Sequence, residues 1–185
     1  MVWDDELHEE CGVLGVFHHA QAAMHTYFAL HALQHRGQEG AGIATSDGVK
    51  LYCHKGRGLA AEVFRGRELD RLPGENSIGH VRYSTAGGDV PENVQPLMAR
   101  SQIGSIAAAH NGQIVNANIL RQRLEEQGSI FFSSSDSEII LHLIQRGKGS
   151  MMDKIAAACR QMEGAFAFLV LTEHSMYAVR DRHGL

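Results

Sequence analysis

The sequence has few cysteines, no long apolar run and no large excess of charge of either sign. Cys11, Cys53 and Cys159 are too few and too widely spaced for a disulfide framework, and they form no C-x-x-C metal pair. No stretch approaches the roughly 20 apolar residues that a membrane-spanning helix needs. Residues 1–10 are acidic where a secretory signal would be basic and then apolar. A cytoplasmic protein with no membrane partner is therefore expected. The formal net charge of −4 and pI near 6.3 give no electrostatic reason to expect nucleic acid as a partner, which leaves a small polar substrate as the easier expectation.

Phosphate-binding loops are also lacking, although the chain has 20 glycines. In Gly37-Gln38-Glu39-Gly40-Ala41-Gly42 the glycines fall in the wrong order for G-x-G-x-x-G, and no G-x-x-x-x-G-K-[ST] occurs anywhere. Gly56-Arg57-Gly58 reads as a turn. His31 and His35 stand at the i, i+4 spacing that can present two imidazoles to a metal. They have no H-E-x-x-H context and no carboxylate or thiol placed as a third ligand, so no metal is expected in this chain.

What is present is 185 residues, 44% hydrophobic and 21% charged, enough for one sizeable core. Short apolar runs at 11–17, 41–45, 49–54, 77–83 and 105–110 read as strands, and 165–172 with 176–180 as a hairpin around Glu173-His174-Ser175. Helical patterns fall at 20–34, 118–126, 137–145 and 151–162. The third is preceded by a capping box, Ser135 with Glu138, and stopped by Gly147. Strands arriving as neighbours favour an α+β fold of antiparallel sheets with helices packed outside them. There is no repeat, linker or domain boundary, and the last residues follow a strand directly, the pattern expected of a piece of a longer protein.

Cys11 opens a strand and follows the polar stretch 1–10. With that stretch removed, Cys11 would carry a thiol and a free α-amine of pKa about 7.7 to 8.0, a nucleophile and a base in one residue. Taken alone it reads first as a buried structural cysteine. Arg82, at the end of an apolar strand, could hold a carboxylate in its guanidinium fork or be a surface arginine. Asn111 beside Gly112 could supply two oxyanion donors, or form a tight turn. Asp136 at a helix start could accept an ammonium group, or cap the helix.

Together these residues sit in a familiar series. Glu10-Cys11-Gly12-Val13-Leu14-Gly15, Gln34-His35-Arg36-Gly37-Gln38-Glu39-Gly40-Ala41-Gly42, Gly79-His80-Val81-Arg82-Tyr83-Ser84-Thr85, Glu92-Asn93-Val94-Gln95-Pro96-Leu97, His110-Asn111-Gly112 and Ser134-Ser135-Asp136-Ser137-Glu138 follow one another in the chain. In content and order they resemble the signatures of class II glutamine amidotransferases. H-R-G-Q-E-G-A-G, E-N-V-Q-P-L and the short acidic leader are most similar to the glutamine phosphoribosylpyrophosphate amidotransferase branch. Ala86-Gly87-Gly88 stands where the sugar-phosphate branch carries a histidine.

The resemblance implies an N-terminal-nucleophile hydrolase fold, a four-layer αββα sandwich, with residues 1–10 a removable leader and 11–185 the glutaminase domain. It implies that Cys11 is the nucleophile and its freed amine the base, with Asn111 and Gly112 forming the oxyanion hole. Arg82 would hold the glutamine carboxylate and Asp136 its ammonium. Arg36 and Gly37 would shape the pocket, and residues 83–88, Thr85 among them, would form a mobile cover. A phosphoribosyltransferase domain absent from this chain would bring phosphoribosylpyrophosphate and magnesium. An iron–sulfur cluster of leader-bearing members would need cysteines from that absent part, and the complete enzyme is expected to be a homo-oligomer. Two other readings stay open at this point: a module that senses glutamine without turning it over, and a self-processing hydrolase of the same fold acting on another amide.

Overall fold

Two four-stranded antiparallel sheets lie face to face because their strands alternate between two apolar sides. The computed structural model describes residues 11–83, 90–101, 104–182 and 184. The first sheet contains β1 (Gly12–Val16), β2 (Gly40–Ser46), β3 (Leu51–Arg57) and β4 (Asn76–Arg82) in the order β1-β4-β2-β3. The second contains β5 (Leu97–Ser101), β6 (Gly104–Ile114), β7 (Gly164–Thr172) and β8 (Met176–Arg180) in chain order.

Between the sheets, Ala44, Leu51 and Ile78 pack against Ala107, Ala109 and Leu171. The three alanines at this contact are fully buried, and their small side chains let the sheets approach closely. The outer face of the first sheet (Ala41, Ile43, Val81) is covered by α1 (Ala22–Ala32) and α2 (Ala60–Val63) through Ala23, Leu30 and Ala60. The outer face of the second (Phe166, Phe168, Val170) is covered by α3 (Ala117–Glu126), α4 (Ser137–Arg146) and α5 (Met151–Cys159) through Leu124, Ile139, Ile140, Leu143 and Ile155. Each fully buried large aliphatic or aromatic side chain contributes about 1.5 to 3 kcal/mol. The layers therefore run αββα, the arrangement the resemblance implies.

Several local expectations change. β6 continues four residues past its expected end, so Asn111 and Gly112 lie within a strand and not in a turn; their partners across the ladder are Ala167 and Phe166. Gly56 pairs with Ala41 inside β3, and of the pair only Gly58, at φ +103°, turns the chain. β5 has no expected counterpart: it is an edge strand buried on one side only, introduced by Pro96, and that composition signals a turn. The Ser135–Glu138 capping box does not form. The Glu138 carboxylate instead accepts from the N–H groups of Phe132 and Ser133 and from the Ser133 hydroxyl, because the incoming loop offers it three donors together. The box that does form is Ser150 with Asp153, at the start of α5.

Candidate active site

Cys11 stands at the mouth of β1, half-buried, with φ +57° turning the chain into the sheet. The antiparallel register of β1 with β4, Gly12 opposite Val81, brings it beside the end of β4. Its Sγ accepts from the Tyr83 N–H at 3.3 Å and lies 3.5 Å from the Tyr83 carbonyl, and its own carbonyl accepts from Arg36 Nε at 2.8 Å. The Tyr83 backbone thus meets the sulfur with both an N–H and a carbonyl, which fixes where the thiol stands.

Arg36 closes a single 3-10 turn, Gln34–Arg36, after α1. Gly37 follows and passes so close to β4 that a Cβ there would lie 2.6 Å from the Arg82 carbonyl carbon, so only glycine admits this crossing. Glu39 N–H then donates to the Arg82 carbonyl at 3.1 Å, fixing the loop to the strand end. Arg36 and Gly37 thus bear on the position of Cys11 and of β4.

On β4, Ile78 faces the second sheet and Val81 faces α1, so His80 and Arg82 share the side of Ile78 and point between the sheets. Arg82 is 5% exposed and its Nη1 donates to the Asn93 carbonyl at 2.7 Å. The Asn93 side chain in turn accepts from the N–H groups of Ser134 and Ser135 and donates to the Ser134 hydroxyl. Asn93 therefore links the strand end carrying Arg82 to the loop carrying Asp136. Lys55 on β3 donates to the Val94 carbonyl, holding the same segment from the other side.

On β6, Asn111 shares the side of Ala107 and Ala109 and points between the sheets, while His110 points toward α4. Gly112 has φ +124°, and a Cβ would lie 2.2 Å from the Ala165 carbonyl oxygen, so both conformation and space require glycine.

Asp136 occupies the N-cap position of α4, but its side chain makes no cap bond. Oδ2 accepts from the Ile114 N–H at 3.0 Å and Oδ1 is 3.5 Å from the Ser137 hydroxyl. His80 and His110 are both buried beneath it. Burial pushes His80 down to about 3, partly opposed by its bond to the His110 carbonyl, so its proton sits on Nε2, which donates to that carbonyl at 3.0 Å. Burial also lowers His110, outweighing the opposing pull of Asp136.

Cys11, Arg82, Gly112 and Asp136 line one concavity of about 40 Å³, together with Tyr83, Gln95 and His110. Asn111 is absent from that lining, and Arg36 and Gly37 stand behind Cys11. Thr85, with most of the expected cover, falls outside the described residues. Wider pockets lie beside Glu173, about 230 Å³, and beside α5 and β8, about 690 Å³; the second is lined by Cys159, Glu163, Arg180 and Asp181, but burial pushes the Cys159 thiol up, the opposite of an activated nucleophile. Asn93, Gln95, His110 and Ser137 stand in the quoted motifs but carry no role there; the polar side chains of Asn93 and Gln95 in the apolar-flanked E-N-V-Q-P-L segment, and those of His110 and Ser137 beside Asn111 and Asp136, were the available signal.

Cys53 packs between the sheets and Cys159 against the outer helices, so the thiols do not converge on a cluster site. Among the described residues no group of three or more His, Cys, Asp or Glu could hold a metal ion, and none of the described helices is long and apolar enough to cross a membrane. The described residues on their own bring together no such group for magnesium or an iron–sulfur cluster.

Residues 80–185 match the model of the glutamine amidotransferase domain family. The chain is 55% identical over 181 residues to the amidophosphoribosyltransferase of Bacillus subtilis, covering 97% of this chain and 38% of that protein. A relative of the same name from Lacticaseibacillus casei is 51% identical, with 96% of this chain and 93% of the relative covered. A solved structure described as the allosteric regulatory enzyme of purine biosynthesis superposes with a TM-score of 0.90 at 54% identity, over 94% of this chain and 38% of that one. The chain thus spans well under half the length of the B. subtilis relative. By this identity and by its own glutamine amidotransferase domain, the chain belongs to the amidophosphoribosyltransferase family.

Proposed function

We propose that this chain hydrolyses glutamine to glutamate and ammonia through a γ-glutamyl thioester on Cys11. In the full-length protein the ammonia would pass to phosphoribosylpyrophosphate, giving phosphoribosylamine in the first step of purine biosynthesis. The observation that carries this reading is the convergence of Cys11, Arg82, Gly112 and Asp136 on one concavity in a chain of this family.

In the proposed reaction the Cys11 thiol gives its proton to the freed α-amine and its sulfur attacks the side-chain carbonyl. The oxyanion that forms accepts hydrogen bonds from Asn111 and Gly112, stabilisation that counts most in the transition state. The amine returns the proton to the departing nitrogen, which leaves as ammonia. Water then attacks the thioester, giving up its proton to the same amine, and releases glutamate. Arg82 pairs with the α-carboxylate and Asp136 with the α-ammonium. Magnesium and any iron–sulfur cluster belong to the remainder of the full-length protein, which we read as a cytoplasmic homo-oligomer.

As encoded, the nitrogen of Cys11 is an amide to Glu10, so this mechanism requires removal of residues 1–10. The test is glutamate release combined with intact-mass analysis. Active protein should begin at Cys11, and Cys11→Ser should abolish turnover with the fold unchanged by circular dichroism. Full activity in a population that keeps residues 1–10, or turnover by Cys11→Ser within a few-fold of the parent, would overturn the reading.

A further inference from the structure

We propose that Ser137 and His110 are positioning residues that aim the Asp136 carboxylate into the site, and so set recognition of the substrate's α-ammonium group. This rests on the reading of Asp136 given above. The starting observation is that Asp136 stands where an aspartate ordinarily caps its own helix and does not do so. Something else directs it, and the buried hydrogen bonds beneath it can be followed proton by proton.

The His110 backbone N–H can only donate, and it donates to Gln95 Oε1 at 2.7 Å. The other end of that amide is therefore the NH₂ group, and it donates to the His110 carbonyl at 3.3 Å and to the Ser137 hydroxyl oxygen at 3.0 Å. Ser137 Oγ lies 2.9 Å from His110 Nδ1. A serine hydroxyl accepts twice and donates once. With Gln95 occupying one acceptor position, an Nδ1–H of His110 fills the second and leaves the hydroxyl proton to Asp136 Oδ1, 3.5 Å away. The opposite assignment turns the hydroxyl toward Nδ1. It leaves the other imidazole N–H, at Nε2, buried with no acceptor, the costlier kind of orphan, since Nε2 has no hydrogen-bond partner.

Gln95, His110 and Ser137 are 5%, 2% and 1% exposed, so water does not compete for these bonds. One carboxylate oxygen is held by the Ile114 N–H and the other by Ser137, which sets the carboxylate plane. A misaimed carboxylate would lose the ammonium contact and leave the carboxylate and amide contacts of the substrate intact.

The experiment uses the full-length enzyme with glutamine as substrate. The monoamide of glutaric acid, which is glutamine without its amino group, serves as competitive inhibitor. Asp136→Asn should raise KM for glutamine and leave Ki for the monoamide unchanged. Ser137→Ala should do the same more weakly, by about fivefold in KM, the loss expected for one hydrogen bond. His110→Asn, whose amide nitrogen can replace Nδ1–H, should stay within about twofold of the parent, on the same scale of one retained bond. If Ser137→Ala raises KM and Ki together while Asp136→Asn separates them, Ser137 only packs and the positioning role falls. If Asp136→Asn itself fails to separate them, the ammonium role of Asp136 falls and the positioning role with it. If His110→Asn loses as much as Ser137→Ala, His110 does not act through its Nδ1–H.

Discussion

Arg36 Nε donates to the carbonyl oxygen of Cys11 at 2.8 Å, which ties the loop after α1 to the backbone of the proposed nucleophile. A hydrogen bond from a charged donor is worth about 1.5 to 3 kcal/mol, and here it fixes where the thiol stands. Arg36→Ala is expected to lower kcat for glutamate release by about tenfold or more while KM changes little, since misplacement of the attacking atom is felt in the chemical step. Steady-state kinetics checks this. A rise in KM alone would place Arg36 with the substrate contacts instead.

Arg82 and Asn111 should separate in the opposite sense to each other. In the proposed reaction Arg82 would bind a carboxylate whose charge does not change, so Arg82→Lys should raise KM more than it lowers kcat. Its Nη1 bond to the Asn93 carbonyl is lost too, and a lower Tm is expected from the same variant. Asn111→Ala would remove one of the proposed oxyanion donors and should then lower kcat by about 10²- to 10³-fold. Equal effects of the two variants on the same constant would refute this division of roles.

Gly112→Ala tests whether β6 tolerates any side chain at this position. The added Cβ meets the Ala165 carbonyl oxygen at 2.2 Å on a backbone at φ +124°, so β6 and β7 must separate. A loss of about 3 kcal/mol is expected from the combined strain and overpacking. Gly128→Ala is the control, with φ +86° and nothing within 4 Å of the added atom. It should cost only about 1 kcal/mol, the conformational share alone. Thermal unfolding of both variants measures the difference, and equal losses would remove the steric argument.

Glu138 gives the loop that leads to Asp136 a dependence on pH. Burial raises its carboxyl, and hydrogen bonds from His142, the Ser133 hydroxyl and the N–H groups of Phe132 and Ser133 outweigh this and hold it at about 2. Its ordinary value is 4.5. Because the folded value is depressed, the stabilisation is fully present above about 4.5 and is lost as pH falls toward 2. Glu138→Gln should therefore unfold at a lower temperature than the parent near neutrality, with the gap closing through that acid range. A gap that stays constant down to the acid end would show that the carboxylate charge contributes nothing.

How much of this was legible beforehand follows from the range over which each feature acts. The sequence by itself determined the fold class, most of the strands and helices, and the positions of Cys11, Arg82, Gly112 and Asp136. Apolar periodicity and short motifs are local, and Cys11, Arg82 and Asp136 stand at the ends of elements, where the signal is in their neighbours. β5 and the true extent of β6 were not legible, because an edge strand after a proline and a strand interior written Asn111-Gly112-Gln113 have the composition of turns. The ladder with β7 overrides that local preference. Only the tertiary structure decided that Asp136 turns away from its own helix, that Glu138 ties down the preceding loop, and that Asn93 and Gln95 join β4, β6 and α4. These are hydrogen bonds between groups far apart in the chain. A buried polar atom is satisfied by whichever donor the packed layers bring to it, and no local pattern of residue types records which one that will be.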